Sequence, residues 1–251
     1  TVDPNAVDPV VFYDKEGRLW MIYGSYSGGI FVKELDAETG EPLEGGYGTK
    51  LLGGNHLRIE APYVIYNPDT DYYYMFLSFG GLDSDGGYNI RVCRSENPDG
   101  PYVDSMGQEM TDCKGPAGST FSDATAALYG TKLMGSYKFT WKEGEEGENR
   151  KGYLSPGHNS CLYQEETGKY FIIYHTRFEN SGEEHQVRVH QMFFNEDGWP
   201  VIAPYRYTEE TLAPVTAEDV SGTYKYINHG RDINAEMNES QEIVLRSEEH
   251  T

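Results

Sequence analysis

Two acidic residues stand at matching places in the chain. Asp8 directly precedes Pro9 in "NAVDPVVFYDKEGRLWMIYGSYSGGI" (5–30), and Glu60 lies two residues before Pro62 in "HLRIEAPYVIYNPDTDYYYMFLSFGG" (56–81). Two carboxylates brought together can hydrolyse a glycosidic bond, one protonating the leaving oxygen and the other serving as base or nucleophile. Glu60 suits the acid, because its apolar neighbours in "RIEAP" favour a neutral carboxyl. The plain alternative is a solvated acid at the start of a strand, and the matching position of Asp8 argues against it. A residue before proline favours extended geometry, and proline, lacking an N–H, favours the first position of a strand. The sequence therefore predicts both acids at strand starts, on extended backbone.

The elements that must position them repeat. "DPVVFYDKEGRLWMIYGSY" (8–26), "EAPYVIYNPDTDYYYMFLSF" (60–79) and "HNSCLYQEETGKYFIIYHTR" (158–177) each read as an apolar run, a tight turn and a strand rich in Tyr, Phe, Ile and Met. The turns "DKEG", "NPDTD" and "QEETG" carry the Asn, Asp, Gly and Pro that reversals need. Each copy thus opens with a hairpin, followed by a further β segment, "GIFVKELD" (29–36), "YNIRVCRS" (88–95) or "HQVRVHQMFF" (185–194). A unit of three or four antiparallel strands over ~45 residues is the size of a propeller blade. In a propeller the innermost strands converge on one channel, so acids distant in sequence become neighbours. The interval from 60 to 158 is about two units long, and its excess reads as a long insertion or a degenerate blade.

Composition limits the partners. The chain has 251 residues, 21 of them Tyr and 29 Gly, and a formal net charge of −21. That charge repels nucleic acid and anionic membranes and fits a neutral substrate. No apolar stretch is long enough to span a membrane. The acidic run "WKEGEEGENRKG" (141–152) reads as a solvated loop. Cys93, Cys113 and Cys161 lack zinc spacing and are too few for a disulfide scaffold; Cys93 reads as a small buried residue.

Past Pro204 and Pro214 the blade pattern stops, and a second, truncated β domain is expected over 216–245 after a first domain over 1–213. The chain starts without Met, close to its first motif, and reads as beginning in mid-protein. "RSEEHT" (246–251) reads as a translated sequencing adapter and is left out of fold reasoning.

"NAVDPVVF", "GSYSGGI", "RIEAPYVIYNP", "YYMFLSFGG" and "SPGHNS", in this order, resemble arabinan-degrading members of glycoside hydrolase family 43, over residues 1 to about 210. The resemblance implies an all-β, five-bladed β-propeller that hydrolyses with inversion, with roughly the last three blades present. The tail "SGTYKYINHGRDINAE" resembles the small β domain that follows the propeller in some extracellular endo-arabinanases.

Carried over by motif, Glu60 matches the general acid and Asp8 the carboxylate that tunes and orients it. Asn5, Ala6, Val7 and Asp8, with Ser25, Tyr26 and Ser27, match segments that line the sugar site. Tyr26 would stack on a furanose ring or be a core or rim tyrosine. His158 matches a histidine that helps hold a calcium ion, largely through water. By residue type alone it reads as a hydrogen-bonded channel residue, since calcium prefers oxygen. No organic cofactor is expected.

The family's general base is an aspartate on an earlier blade, and Asp3, five residues from Asp8, is too close to supply it. The implied protein is a secreted endo-α-1,5-L-arabinanase, a monomer when whole. The expectation is that this chain is an N-terminally truncated fragment of it, inactive and poorly stable alone. An exo-acting arabinofuranosidase or xylosidase of the same fold is the rival enzyme reading. A non-catalytic carbohydrate-binding propeller is the rival from another class.

Overall fold

The computed structural model describes residues 2–145 and 151–246. Residues 146–150 of the acidic run and 247–251 of "RSEEHT" therefore lie outside the described residues.

The described chain is almost wholly β. A first antiparallel sheet runs in sequence order through β1 (Val10–Tyr13), β2 (Leu19–Tyr23), β3 (Ile30–Leu35) and β4 (Thr49–Leu52). A second does the same with β5 (Ile59–Asn67), β6 (Tyr72–Phe79), β7 (Asn89–Ser95) and β8 (Thr131–Met134). The third contains β9 (Tyr137–Lys138), β10 (Tyr153–Gln164), β11 (Lys169–Phe178), β12 (His185–Phe194) and β13 (Pro200–Ile202). The three expected hairpins are β1–β2, β5–β6 and β10–β11.

Turn chemistry sets the first hairpin. The carboxylate of Asp14, 6% exposed, accepts bonds from the Glu16 and Arg18 N–H groups, Arg18 Nε and Trp20 Nε1, all at 2.8–2.9 Å. Burial opposes that charge, but the bonds from Trp20, Arg18 and Glu16 outweigh it and lower the Asp14 pKa.

The long interval between Glu60 and His158 is an insertion. Residues 96–130 join β7 to β8 with a 3-10 turn (Met110–Asp112) and a one-turn helix (Asp123–Ala126), and they form no further sheet.

The second sheet is buried on both faces, which is why β6 reads "YYYMFLSF" without polar alternation. Tyr73, Met75, Leu77 and Phe79 pack against Trp20, Ile22, Ile30 and Leu52 of the first sheet. Tyr74 and Phe76 face the other way, into Tyr153, Cys161, Ile172 and Tyr174 of the third. The outer sheets carry exposed apolar side chains, Val11 and Tyr13 on β1 and Val187 and Val189 on β12. All three cysteines are free and buried, and burial pushes the Cys113 thiol up to about 12.

The tail pairs β14 (Gly222–Tyr226) with β16 (Gln241–Leu245), and between them β15 (Asn238–Glu239) joins the edge of the third sheet, parallel to β9. The fully buried Arg91 anchors it: its guanidinium donates to the carbonyls of Ala127, Tyr129 and Arg231. Lys132 Nζ adds bonds to the carbonyls of His229 and Asp232. Among the described residues no helix is long and apolar enough to cross a membrane.

Candidate active site

Asp8, Glu60 and His158 meet, although 150 residues separate the first from the last. They come from the segment before β1, the start of β5 and the first half of β10. One carboxylate oxygen of Asp8, one of Glu60 and a ring nitrogen of His158 lie within 4.8 Å of one another. His158 Nε2 is 4.0 Å from Asp8 Oδ1.

The backbone that achieves this is not the extended one expected. Asp8 has φ 54°, in the left-handed region that favours glycine. The same holds for Ala61 (φ 51°) and Ser155 (φ 46°), and each of the three directly precedes a proline. The local pre-proline preference is overridden by tertiary bonding: Asp8 Oδ2 accepts the Ala61 N–H at 3.1 Å. Register slips accompany the turns, between Glu60 and Tyr63 on β5 and on both sides of Gly157 on β10. Such bulges re-aim side chains, and strained backbone gathers at functional sites.

Glu60 is held by both of its oxygens. Ser25 Oγ donates to Oε2 at 2.9 Å, and the Tyr88 hydroxyl donates to Oε1 at 2.5 Å. Tyr88 is fully buried, and burial, with Glu60 beside it, pushes its phenol far above the usual range. It is therefore a neutral donor. Its ring stacks on His175 with centroids 5.9 Å apart. Burial, then the neighbouring His185, Arg177 and His158, lower the His175 pKa to about 4. Tyr88, Ser78 and His175 were not legible as site residues, since one tyrosine among 21 carries no signal of its own.

The other sequence candidates surround this centre. Asn5, Ala6 and Val7 are exposed just ahead of Asp8. Ser25 is buried against Glu60, and Ser27 is half-buried with its carbonyl bonded to the His56 N–H. Tyr26 is half-buried with its hydroxyl donating to the Gly80 carbonyl, and burial pushes its phenol up to about 12. Its ring meets the exposed Phe121 edge-on at 5.9 Å, and Arg58, paired with Asp123, lies over Phe121. The aromatic pair Tyr26–Phe121 is a rim that sequence reasoning saw only by half. A cavity of about 1520 Å³ between β8, β13 and β14 includes none of these residues.

The donor set does not make a calcium cage. The cluster offers one carboxylate oxygen each from Asp8 and Glu60 and one ring nitrogen of His158. Calcium takes six to eight oxygen ligands, so an ion here would be clad mostly in water.

The model of glycosyl hydrolases family 43 matches residues 1–139. The chain belongs to glycosyl hydrolases family 43. A second model, of the family's C-terminal lipocalin-like domain, matches residues 204–251. The family 43 chain is 59% identical to extracellular endo-alpha-(1->5)-L-arabinanase 2 of Bacillus subtilis, over 100% of its own length and 53% of the relative's. It is 53% identical to the extracellular endo-alpha-(1->5)-L-arabinanase of Thermotoga petrophila, over 98% of its length and 51% of the relative's. Among solved structures, a family 43 protein from Bacillus licheniformis superposes with a TM-score of 0.91 at 55% identity, covering 97% of this chain and 54% of that one. The Thermotoga petrophila endo-1,5-alpha-L-arabinanase superposes with a TM-score of 0.89 at 53% identity, over 97% and 53%. The chain spans about half the length of the relatives it matches.

Proposed function

We propose that this chain is the C-terminal part of a secreted endo-α-1,5-L-arabinanase that inverts the anomeric carbon. The observation that carries this is the meeting of Asp8, just ahead of the first sheet, with Glu60 on the second, with both Glu60 oxygens held. The names of the two relatives support arabinan as substrate and an extracellular site of action.

In this reading Glu60 protonates the glycosidic oxygen as the bond to the anomeric carbon breaks. Asp8 stands beside it and orients it, its Oδ2 accepting the N–H of Ala61, the residue that follows the acid. Asp8 is not the base. Inverting pairs stand about 6.5–9.5 Å apart to admit a water, whereas these oxygens lie within 4.8 Å. The base aspartate is assigned to another part of the whole protein, since the chain spans about half the length of its relatives. The three sheets are then three blades of a five-bladed ring. The exposed apolar residues on β1 and β12 support this as surfaces for the remaining blades. Residues 1–213 form the propeller part and 216–245 the start of the C-terminal domain. A water-clad calcium ion beside His158 belongs to the same reading, and no step uses it. The whole protein acts as a monomer.

Product analysis of the full-length protein on linear arabinan tests the reading. Short arabino-oligosaccharides are the expected early products. Arabinose alone would make the enzyme exo-acting, and no release with retained binding would make it a carbohydrate-binding propeller.

A further inference from the structure

We propose that Tyr88 is a positioning residue that fixes the transferable proton of Glu60 on Oε2. This rests on the arabinan-hydrolysis reading. The direction of a hydrogen-bond chain carries it. The His158 N–H can only donate, and it does so to Ser78 Oγ at 2.7 Å. Ser78 is fully buried beside Tyr88, and with its oxygen accepting from His158 its hydroxyl is free to donate towards the phenol. Tyr88 then spends its own proton on Glu60 Oε1 at 2.5 Å. The chain runs one way from the third sheet to the acid.

The consequence falls on the carboxyl. In a protonated carboxyl the hydroxyl oxygen is the poorer acceptor, so the oxygen that always accepts from Tyr88 is the carbonyl one. The proton sits on Oε2. There the partner is Ser25, whose hydroxyl can donate to the carboxylate, accept from the acid or give way to an incoming oxygen. On reaction the Oε2 proton passes to the glycosidic oxygen, which keeps the electron pair of the broken bond. Glu60 is left as a carboxylate with both donors in place.

The fold holds Tyr88 to this task from two sides. Its ring lies nearly parallel to His175, at 19°. Gly157 leaves the space on the β10 side: a β-carbon there would come within 2.1 Å of the Tyr88 ring. The titratable groups facing Glu60 and Tyr88 are Asp8, Tyr26, His158 and His175.

Tyr88→Phe in the full-length protein keeps the ring and removes the donor. On linear arabinan the expected result is an unchanged KM and a kcat lower by about ten- to a hundredfold, the range for a hydrogen bond to a charged group. On an aryl arabino-oligoside with a nitrophenolate leaving group, which needs little protonation, the loss should be severalfold smaller. Gly157→Ala, which displaces the ring, should give the same substrate pattern, with melting curves separating it from unfolding. Wild-type kcat for Tyr88→Phe on arabinan, or equal losses on both substrates, would overturn the assignment. A wild-type protein that releases nothing from arabinan would remove the underlying reading, and with it this one.

Discussion

Asp8 Oδ2 accepts the backbone N–H of Ala61 at 3.1 Å, so the carboxylate just ahead of the first sheet is tied to the strand of the second that carries the acid. The bond spans 53 residues of sequence and sits beside two left-handed pre-proline residues. Removing the charge while keeping the bond is feasible, because an asparagine carbonyl accepts as well. Asp8→Asn in the full-length protein should therefore fold normally, and its turnover should fall by about 10²-fold, within the range for acid–base assistance. Proton NMR of the first product should show inversion in wild type. Retention would make Asp8 a nucleophile, because retaining pairs are about 5–5.5 Å apart.

The hairpins, the repeat of three and the meeting of Asp8 and Glu60 were legible because they rest on local turn chemistry and on strand pattern, whereas His158 came only from the family resemblance of "SPGHNS". Tyr88 was not, because its role depends on a stack with His175 and a gap at Gly157, both contributed by the third sheet. The extended backbone expected at Asp8 failed for a related reason: pre-proline preference is local, and a tertiary hydrogen bond outweighed it. Tyr26 illustrates the limit on substrate contacts. The sequence left it between stacking on a furanose ring and a core or rim place, and the structure gives its hydroxyl to Gly80 and its edge partner as Phe121, inside the long insertion.

The first turn should be a stability determinant. Asp14→Ala removes four hydrogen bonds and leaves the indole N–H of the buried Trp20 without its acceptor. An unsatisfied buried donor costs about 1–3 kcal/mol, with more for bonds to a charged group. Denaturant unfolding should show a loss of at least ~2 kcal/mol, and a loss below half of that would mean the turn holds without its carboxylate.

Acid should destabilise the fold through buried histidine. His190 is fully buried, with Nδ1 2.7 Å from the Ala203 carbonyl and Nε2 2.9 Å from the Tyr174 hydroxyl. A carbonyl only accepts, so Nδ1 carries the proton and Nε2 accepts from Tyr174. Burial, against the opposing pull of Ala203, lowers the His190 pKa from 6.5 to about 4. Between those two values the unfolded chain binds a proton that the folded one refuses. Stability is then full above about pH 6.5 and falls towards pH 4 by about 1.4 kcal/mol per pH unit for this group. His175 and His229, also lowered to about 4, act in the same direction. His190→Gln should flatten the slope by one proton; an identical slope would show that His190 is already charged in the fold.

The most direct test is the leaving-group dependence of Glu60→Gln in the full-length protein. The substitution suits the site, since Ser25 can turn to accept from the amide while Tyr88 keeps donating to the remaining oxygen. Values of kcat/KM are measured on linear arabinan and on an aryl arabino-oligoside whose nitrophenolate departs without a proton. The account predicts a loss of ~10²–10⁴-fold on arabinan and a much smaller loss on the aryl substrate. Equal losses on both, or wild-type rates on arabinan, would contradict Glu60 as the acid.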